Sequence, residues 1–373
     1  MVFDTPVALY FFQLLMYNMV MEETILNERE INEVHHKCPG CGSSLMYDIA
    51  SGNLKCQHCG TTRAMQEDNQ VQRRTMCAQV LNTHKQWTDG AVFRCSNCGA
   101  NNVVSKRDIS KSCAFCGSNA IVQSQELPGI QPDSVIPFQI TQETASQRFN
   151  QWRKKRWFVP GEFKKADLRK SMSPMYTPCW SFSAQTQSMY NGTLGRTVST
   201  RNGTRTQWFR VSGGIMQNYT DYFVQSGERI NTKNFNNLKP FNLQLVRVYR
   251  TEFLSGIVAE HYSRDLEICF QDFAAFVRRD KQQKIMRRHN ATSVSQLTIN
   301  TNYHNRKFNY VLLPVYIAHY YYKNKLYNFY VNGATGKIVG KYPKSAIKIT
   351  LLVVGLAALV IGVGIAAYFG GLI

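Results

Sequence analysis

The stretches CPGCGSSLMYDIASGNLKCQHCG (38–60) and FRCSNCGANNVVSKRDISKSCAFCG (93–117) decide the reading of this chain. Each holds two Cys-x-x-Cys-Gly knuckles, with fourteen residues between Cys41 and Cys56 in the first and between Cys98 and Cys113 in the second. Matched spacing marks an internal repeat of one unit. A Cys-x-x-Cys turn aims two thiolates at one point, at a metal–sulfur distance of about 2.3 Å. The glycine after each knuckle tolerates the positive φ that the turn needs. Two knuckles on two hairpins complete a tetrahedral site, so Cys38, Cys41, Cys56 and Cys59 are expected to hold one Zn2+, and Cys95, Cys98, Cys113 and Cys116 a second. Four thiolates leave no open coordination position, which points to structural zinc and argues against hydrolysis at the metal. Iron in a rubredoxin-like site is the chemical alternative. Modules this small have little core, so metal binding is expected to supply their folding energy. Of the remaining cysteines, Cys269 falls on the inward side of an expected helix and reads as core.

Outward from the knuckles, the expected architecture is multidomain α+β. It comprises two small four-cysteine zinc ribbons, a mixed α+β block rich in antiparallel hairpins, and one C-terminal transmembrane helix. The boundaries read as an apolar, variable segment (1–35), ribbon 1 (36–62), a helical linker (63–92), ribbon 2 (93–122), the α+β block (123–345) and the membrane helix (346–373). The uncharged run Val7–Met21 is too short for a span and lacks a basic flank, so the expectation is either a start at Met16, Met19 or Met21 or a helix packed on the protein, not a second span. LPGIQPDSV (127–135) marks the next boundary. Helices are expected over Thr141–Arg156, with Ala145, Phe149 and Trp152 on one face, and over Asp265–Arg288, with Leu266, Phe270, Phe273 and Val277 inward. Residues 175–230 have the texture of hairpins, with turn signals at Asn191-Gly192, Asn202-Gly203 and Gly213-Gly214. Val311–Tyr322 is expected to pair with Leu326–Val331 across Lys323-Asn324-Lys325, and a turn at Asn332-Gly333 leads to Gly336–Val339.

The 25 residues Ile349–Ile373 carry no charge, which is enough to span a bilayer. Lys337, Lys341, Lys344 and Lys348 precede them, so the positive-inside bias puts the N-terminal part in the cytosol of a single-pass protein of the cell membrane. Reduced thiols suit the same compartment. The N-x-S/T sequons at Asn191, Asn202, Asn218 and Asn290 point the other way, but such short motifs arise by chance in an Asn-rich chain. Ala358, Gly362, Ala366 and Gly370 form a small-residue ridge suited to self-association.

With 44 Lys and Arg against 24 Asp and Glu, the net charge is +20. The partners such a charge suggests are anionic lipid and nucleic acid. Two basic segments interleave with aromatics. One contains Arg153, Lys154, Lys155 and Arg156 between Trp152 and Trp157. The other contains Arg278, Arg279, Lys281, Lys284, Arg287 and Arg288. They suit a surface resting on the lipid bilayer, or single-stranded nucleic acid held by charge and stacking. The plain alternatives are a solvated basic face, with Trp152 and Trp157 as ordinary core anchors.

There is no Walker motif, GxSxG, HExxH or dinucleotide fingerprint; Gly333-Ala-Thr-Gly336-Lys337-Ile338 has the wrong spacing for a P-loop. The segments CPGCGSSLMYD, FRCSNCGA, CAFCGS, DSVIPFQI, YTPCWSF, NLKPF and LLPVYIAHYYYKNKLYNFYVNGATGKIVG carry a resemblance over residues 36–373. The chain resembles bacterial TFIIB-type zinc-ribbon membrane proteins of low-GC Gram-positive genomes, often labelled replication-restart helicases. The resemblance implies the same eight cysteines as metal ligands; the N-terminus departs from it, since that family usually begins near the first knuckle. No nucleotide site accompanies the helicase label. The expectation is a non-enzymatic adaptor that recruits a cytosolic protein to the membrane. The alternatives are a tethered nucleic-acid-binding protein, or an enzyme with a site within 137–345.

Overall fold

The computed structural model describes residues 37–66, 68–77, 90–105, 113, 115–119, 121–123, 130–169, 171–201 and 203–369. The apolar segment 1–35 and Gly370 therefore lie outside the described residues. The chain divides into two compact units, Met1–Gln66 and Glu67–Ile373.

In the first unit, β1 (Leu45–Asp48), β2 (Asn53–Cys56) and β3 (Thr62–Arg63) form an antiparallel three-stranded sheet. Leu45, Tyr47 and Leu54 are buried on it. The β1–β2 turn is closed by Asp48, whose carboxylate accepts from the Ser51 hydroxyl at 2.6 Å and the Ser51 amide at 3.2 Å.

The second unit is built on a twelve-stranded sheet. Its early strands are β4 (Arg74–Thr75), β5 (Gly90–Cys95), β6 (Asn101–Ser105), β7 (Ile121–Gln123) and β8 (Ser134–Val135). Helices α1 (Gln142–Lys154) and α2 (Gly161–Lys165) follow, then the long strands β9 (Met172–Thr200) and β10 (Gly203–Gln225). After α3 (Thr232–Leu238), β11 (Arg247–Val248) and β12 (Val258–Glu260) come α4 (Leu266–Arg288) and β13 (Ser293–Tyr322). The chain then runs through β14 (Lys325–Asn332) and β15 (Ile338–Gly340) into α5 (Ala346–Phe369). The described part of the expected helical linker, around 63–77, contains only short strands and irregular chain.

The hairpin signals of 175–230 resolve into one very long ribbon. β9 pairs antiparallel with β10 and with β13, and the only reversal between β9 and β10 falls between Thr200 and Gly203, at the Asn-Gly signal. Asn191-Gly192 and Gly213-Gly214 are not turns. Gly192 sits inside β9 opposite Val211 and Leu297, where a Cβ would collide with the Gln296 carbonyl. At Gly213 a Cβ would lie 2.9 Å from the Tyr190 hydroxyl. These glycines permit close strand approach instead of reversal.

Helix α4 covers one face of this ribbon. Leu266, Cys269, Phe273, Val277, Lys281 and Ile285 are its buried residues, at helical spacing. Phe273 stacks on Phe182 with centroids 5.6 Å apart, and Phe276 on Tyr222 at 3.9 Å. At the other end of β13, Lys323 and Asn324 both take positive φ (50° and 59°) and join β13 to β14 with Tyr322 opposite Lys325. That is the two-residue hairpin geometry whose twist suits the flanking strands.

Helix α1 starts at an N-cap, Thr141, whose hydroxyl accepts from the Thr144 amide at 3.2 Å. Its Phe149 packs on Phe163 of α2 and Phe329 of β14. Helix α5 is long and apolar enough to cross a membrane, and none of its span is buried against the rest of the protein. Ala358, Gly362 and Ala366 lie exposed along it.

Candidate metal centres and basic surface

Two groups of four cysteines converge, each with all Sγ atoms within 4.8 Å of one another. In the first, Cys38 Sγ lies 3.3 Å from Cys59 Sγ and Cys41 Sγ 3.5 Å from Cys56 Sγ. In the second, Cys95–Cys116 is 3.8 Å and Cys98–Cys113 is 3.6 Å. A disulfide needs about 2.05 Å, so these are not disulfides. A tetrahedron of sulfurs about 2.3 Å from its centre has edges of roughly 3.8 Å. Both clusters fit one tetrahedral ion each, consistent with zinc.

The knuckles are set by backbone geometry. The amides of Gly42, Gly60, Gly99 and Gly117 each donate to the carbonyl of the cysteine four residues earlier, at 2.7–3.0 Å. Their φ values run from +69° to +78°, the left-handed region that glycine enters without strain.

The two centres differ in setting. In the first, Cys41 and Cys59 are exposed. The Thr61 hydroxyl, 3.1 Å from Cys59 Sγ, leads a set of hydrogen bonds that hold that thiol down at about 6, well below the usual thiol range. In the same cluster the Cys59 and Cys56 thiols push Cys41 the other way, up to about 12. In the second, Cys95, Cys113 and Cys116 are buried. Burial there pushes the Cys98 and Cys113 thiols up.

The second centre is also part of the larger unit. β6 pairs with β12 (Val103 opposite Ala259), and β12 pairs in parallel with β9 (Val258 opposite Met175). Cys95, Ala100, Cys113, Phe115 and Cys116 share one apolar cluster with Met175, Cys179, Leu313, Val315 and Ile317. Arg229 donates to the Cys98 carbonyl at 2.7 Å, and its guanidinium lies 5.9 Å from the Phe115 ring centre. The loop carrying Arg229 is pinned in turn by buried Glu260, whose carboxylate accepts the amides of Glu228 and Arg229 at 3.0 Å each. Burial raises the Glu260 carboxyl to about 7. Sequence spacing showed the cysteines but carried no sign of Arg229 or Glu260, which reach the ribbon from 131 and more residues away.

The basic segments are divided between interior and surface. Arg153 is 5% exposed and donates to the carbonyls of Phe163 (2.7 Å) and Ala166 (2.6 Å) and to Asn150 Oδ1 (2.8 Å). It ties α1 to α2 and is not available to a surface ligand. Arg156 is half-buried over the Trp152 ring at 3.5 Å. Lys154 and Lys155 are exposed. In α4, Arg278, Arg279, Arg287 and Arg288 are exposed, Lys284 pairs with Asp280 at 2.8 Å, and Lys281 is fully buried. The two segments do not form one patch. α1 packs on Phe329, which faces Ala318 of β13, whereas Phe273 of α4 packs on Phe182, which faces Phe308. Ten residues of strand separate those positions, on the order of 30 Å.

Lys281 gives a pH-dependent prediction. Its ammonium donates to Ser188 Oγ at 2.5 Å, and that hydroxyl shares a 2.7 Å hydrogen bond with Thr301. Burial, opposed by the Asp280 charge, lowers Lys281 to about 8. An unfolded lysine titrates near 10.4. Between about pH 8 and 10.4 the unfolded state binds more protons, so stability rises with pH across that window; below pH 8 the folded state carries the full cost of the buried charge. That cost is about 3 kcal/mol at 1.36 kcal/mol per pH unit. Lys281→Met should therefore unfold at higher denaturant than wild type at pH 7, by about 2–3 kcal/mol, and the gap should close by pH 10. A gap that does not change with pH would remove the buried ammonium as its cause.

No family model matches the chain, and no solved structure matches it. A protein of Bacillus subtilis (strain 168), described as uncharacterized protein YdjG, is 28% identical over 338 residues, spanning 87% of this chain and 94% of that protein.

Proposed function

We propose that the chain is a membrane-anchored zinc-ribbon protein of the TFIIB-type ribbon class, in which the first ribbon recruits a cytosolic partner and the second is a structural fastening of the body. The observation that carries this reading is the contrast between two centres of identical spacing. One belongs to the separate unit Met1–Gln66 and has two exposed thiols, while the other is buried in the shared core of Glu67–Ile373. A zinc held by four thiolates has no open position for a substrate, which supports recruitment over catalysis at the metal. Helix α5 is read as the single span, with the lysines before it on the cytosolic side.

The test isolates the first ribbon. Elemental analysis of the purified chain should give two zinc ions, and Cys38→Ser should give one. Cys38→Ser should remain in the membrane fraction but lose the proteins that cross-link to wild type in intact cells, because a small ribbon unfolds without its metal. Partners that persist in Cys38→Ser would sink the recruiting role. Salt-sensitive retention of single-stranded oligonucleotides by wild type, lost in Cys38→Ser, would favour the nucleic-acid reading instead.

A further inference from the structure

Helix α5 is fastened to the body through the turn between α1 and α2. Arg156 lies over the Trp152 ring at 3.5 Å and near Tyr342 at 5.3 Å, and the two rings are 5.8 Å apart. The Ser345 amide donates to the Phe158 carbonyl at 2.7 Å. One turn into the apolar helix, Lys348 Nζ donates to the carbonyls of Val159 (2.9 Å) and Trp157 (3.3 Å). The α1–α2 turn is therefore held level with the point where α5 becomes uninterruptedly apolar.

At that level lies a cleft of about 330 Å³ lined by Lys154, Lys155, Trp157, Lys164 and Lys348. Four of its five lining residues are cations. None of these four enters an ion pair among those of the described residues. The nearest acid in sequence is Glu162, exposed in the first turn of α2. Trp157 is 76% exposed, unusual for a tryptophan, and its carbonyl accepts from Lys348, the residue that precedes the exposed apolar run Ile349, Leu351 and Leu352 of α5. An indole beside an apolar helix and a ring of ammoniums is the composition of a membrane–water boundary.

We propose that this cleft binds the phosphate headgroup of an anionic phospholipid. Lys154, Lys155, Lys164 and Lys348 surround the phosphate, and Trp157 lies against the upper acyl chain. A ligand with a phosphate at one end and apolar chains at the other matches both halves of the site, whereas free phosphate would leave Trp157 and Ile349 in water. The inference rests on α5 spanning the bilayer.

The full chain is placed in nanodiscs containing phosphatidylcholine and phosphatidylglycerol, and the lipids that stay bound after release are counted by native mass spectrometry. Phosphatidylglycerol should be retained in preference to phosphatidylcholine. Each cation near an anionic surface contributes enough that removing one should lower the preference about fivefold, so Lys154→Gln with Lys155→Gln should lower it roughly 25-fold. Arg278→Gln with Arg279→Gln, on the distant α4, should leave it unchanged. Equal losses in both pairs, or no preference in wild type, would overturn the site while α5 still inserts. Displacement of phosphatidylglycerol by inorganic phosphate would overturn the lipid assignment in favour of a free-anion site. Failure to enter discs of either lipid would remove the span and the headgroup site together.

Discussion

Cys95→Ser is expected to leave almost no folded body, whereas Cys38→Ser leaves it intact. The two substitutions are chemically identical and occupy equivalent places in a repeated motif. They differ in what surrounds the thiol. Cys95 is fully buried in the cluster that also holds Met175, Cys179 and Val315, and its ribbon is joined to β9 through β6 and β12. Zinc binding to a four-ligand site is worth roughly 10–16 kcal/mol, about the whole net stability of a domain at 5–15 kcal/mol. Losing that ion leaves the buried thiols of Cys95, Cys113 and Cys116 without a partner where the β6-β5-β7 end of the sheet joins the core. Cys38 lies in the unit Met1–Gln66, so its loss is confined to that unit. Protease resistance and the thermal transition of the body check this. A Cys95→Ser chain with a wild-type transition and one fewer zinc would show that the second ribbon is an ornament on a self-sufficient sheet.

A chain ending after Tyr342 is expected to leave the membrane. Ten Leu, Val and Ile residues of α5, from Leu351 to Ile365, are exposed. At roughly 0.3–0.6 kcal/mol each for insertion, they supply on the order of 3–6 kcal/mol, and without water-exposed backbone the helix is satisfied internally. The truncation keeps Arg156 between Trp152 and Tyr342 but removes Ser345 and Lys348, so the body should remain folded. Fractionation in high salt is the check. A truncated chain that still resists extraction has another anchor, and the apolar run Val7–Met21 is then the first segment to delete.

The metal ligands were legible because their chemistry is local: two cysteines, two residues and a glycine fix a knuckle whatever lies elsewhere. The two long helices of the body were legible for the same reason, and Asp265–Arg288 differs from the observed α4 by a single residue, whereas the short α2 and α3 gave no periodic signal and the described part of the expected helical linker is not helical. The strands were not. Asn191-Gly192 and Gly213-Gly214 have the composition of turns, and only the pairing of three strands shows that their missing side chains make room for Gln296 and Tyr190. Period-2 patterning cannot distinguish one strand of 29 residues from two short ones joined by a reversal. The basic segments failed in a different way. Arg153 and Lys281 look like their exposed neighbours in composition, and their burial follows from where α1 and α4 dock. The fastening of ribbon 2 by Arg229 and Glu260 depends on contacts across more than a hundred residues and left no trace in local spacing.

The length of β9 and β13 makes the protein a ruler. From Ala318, opposite the strand that packs on α1, to Ser293 at the far end of the pairing with β9, the strand runs 25 residues, about 80 Å at 3.3 Å per residue before twist and bulges. Anything grasped at the Thr200–Gly203 end is held at a set reach from α5, because α5 is fastened to the opposite end through Ser345 and Lys348. The graduations of this ruler come in twos. Deleting two paired residues from each of β9, β10 and β13 shortens the reach by about 7 Å and keeps every side chain on its own face; deleting one turns the interior outward beneath α4.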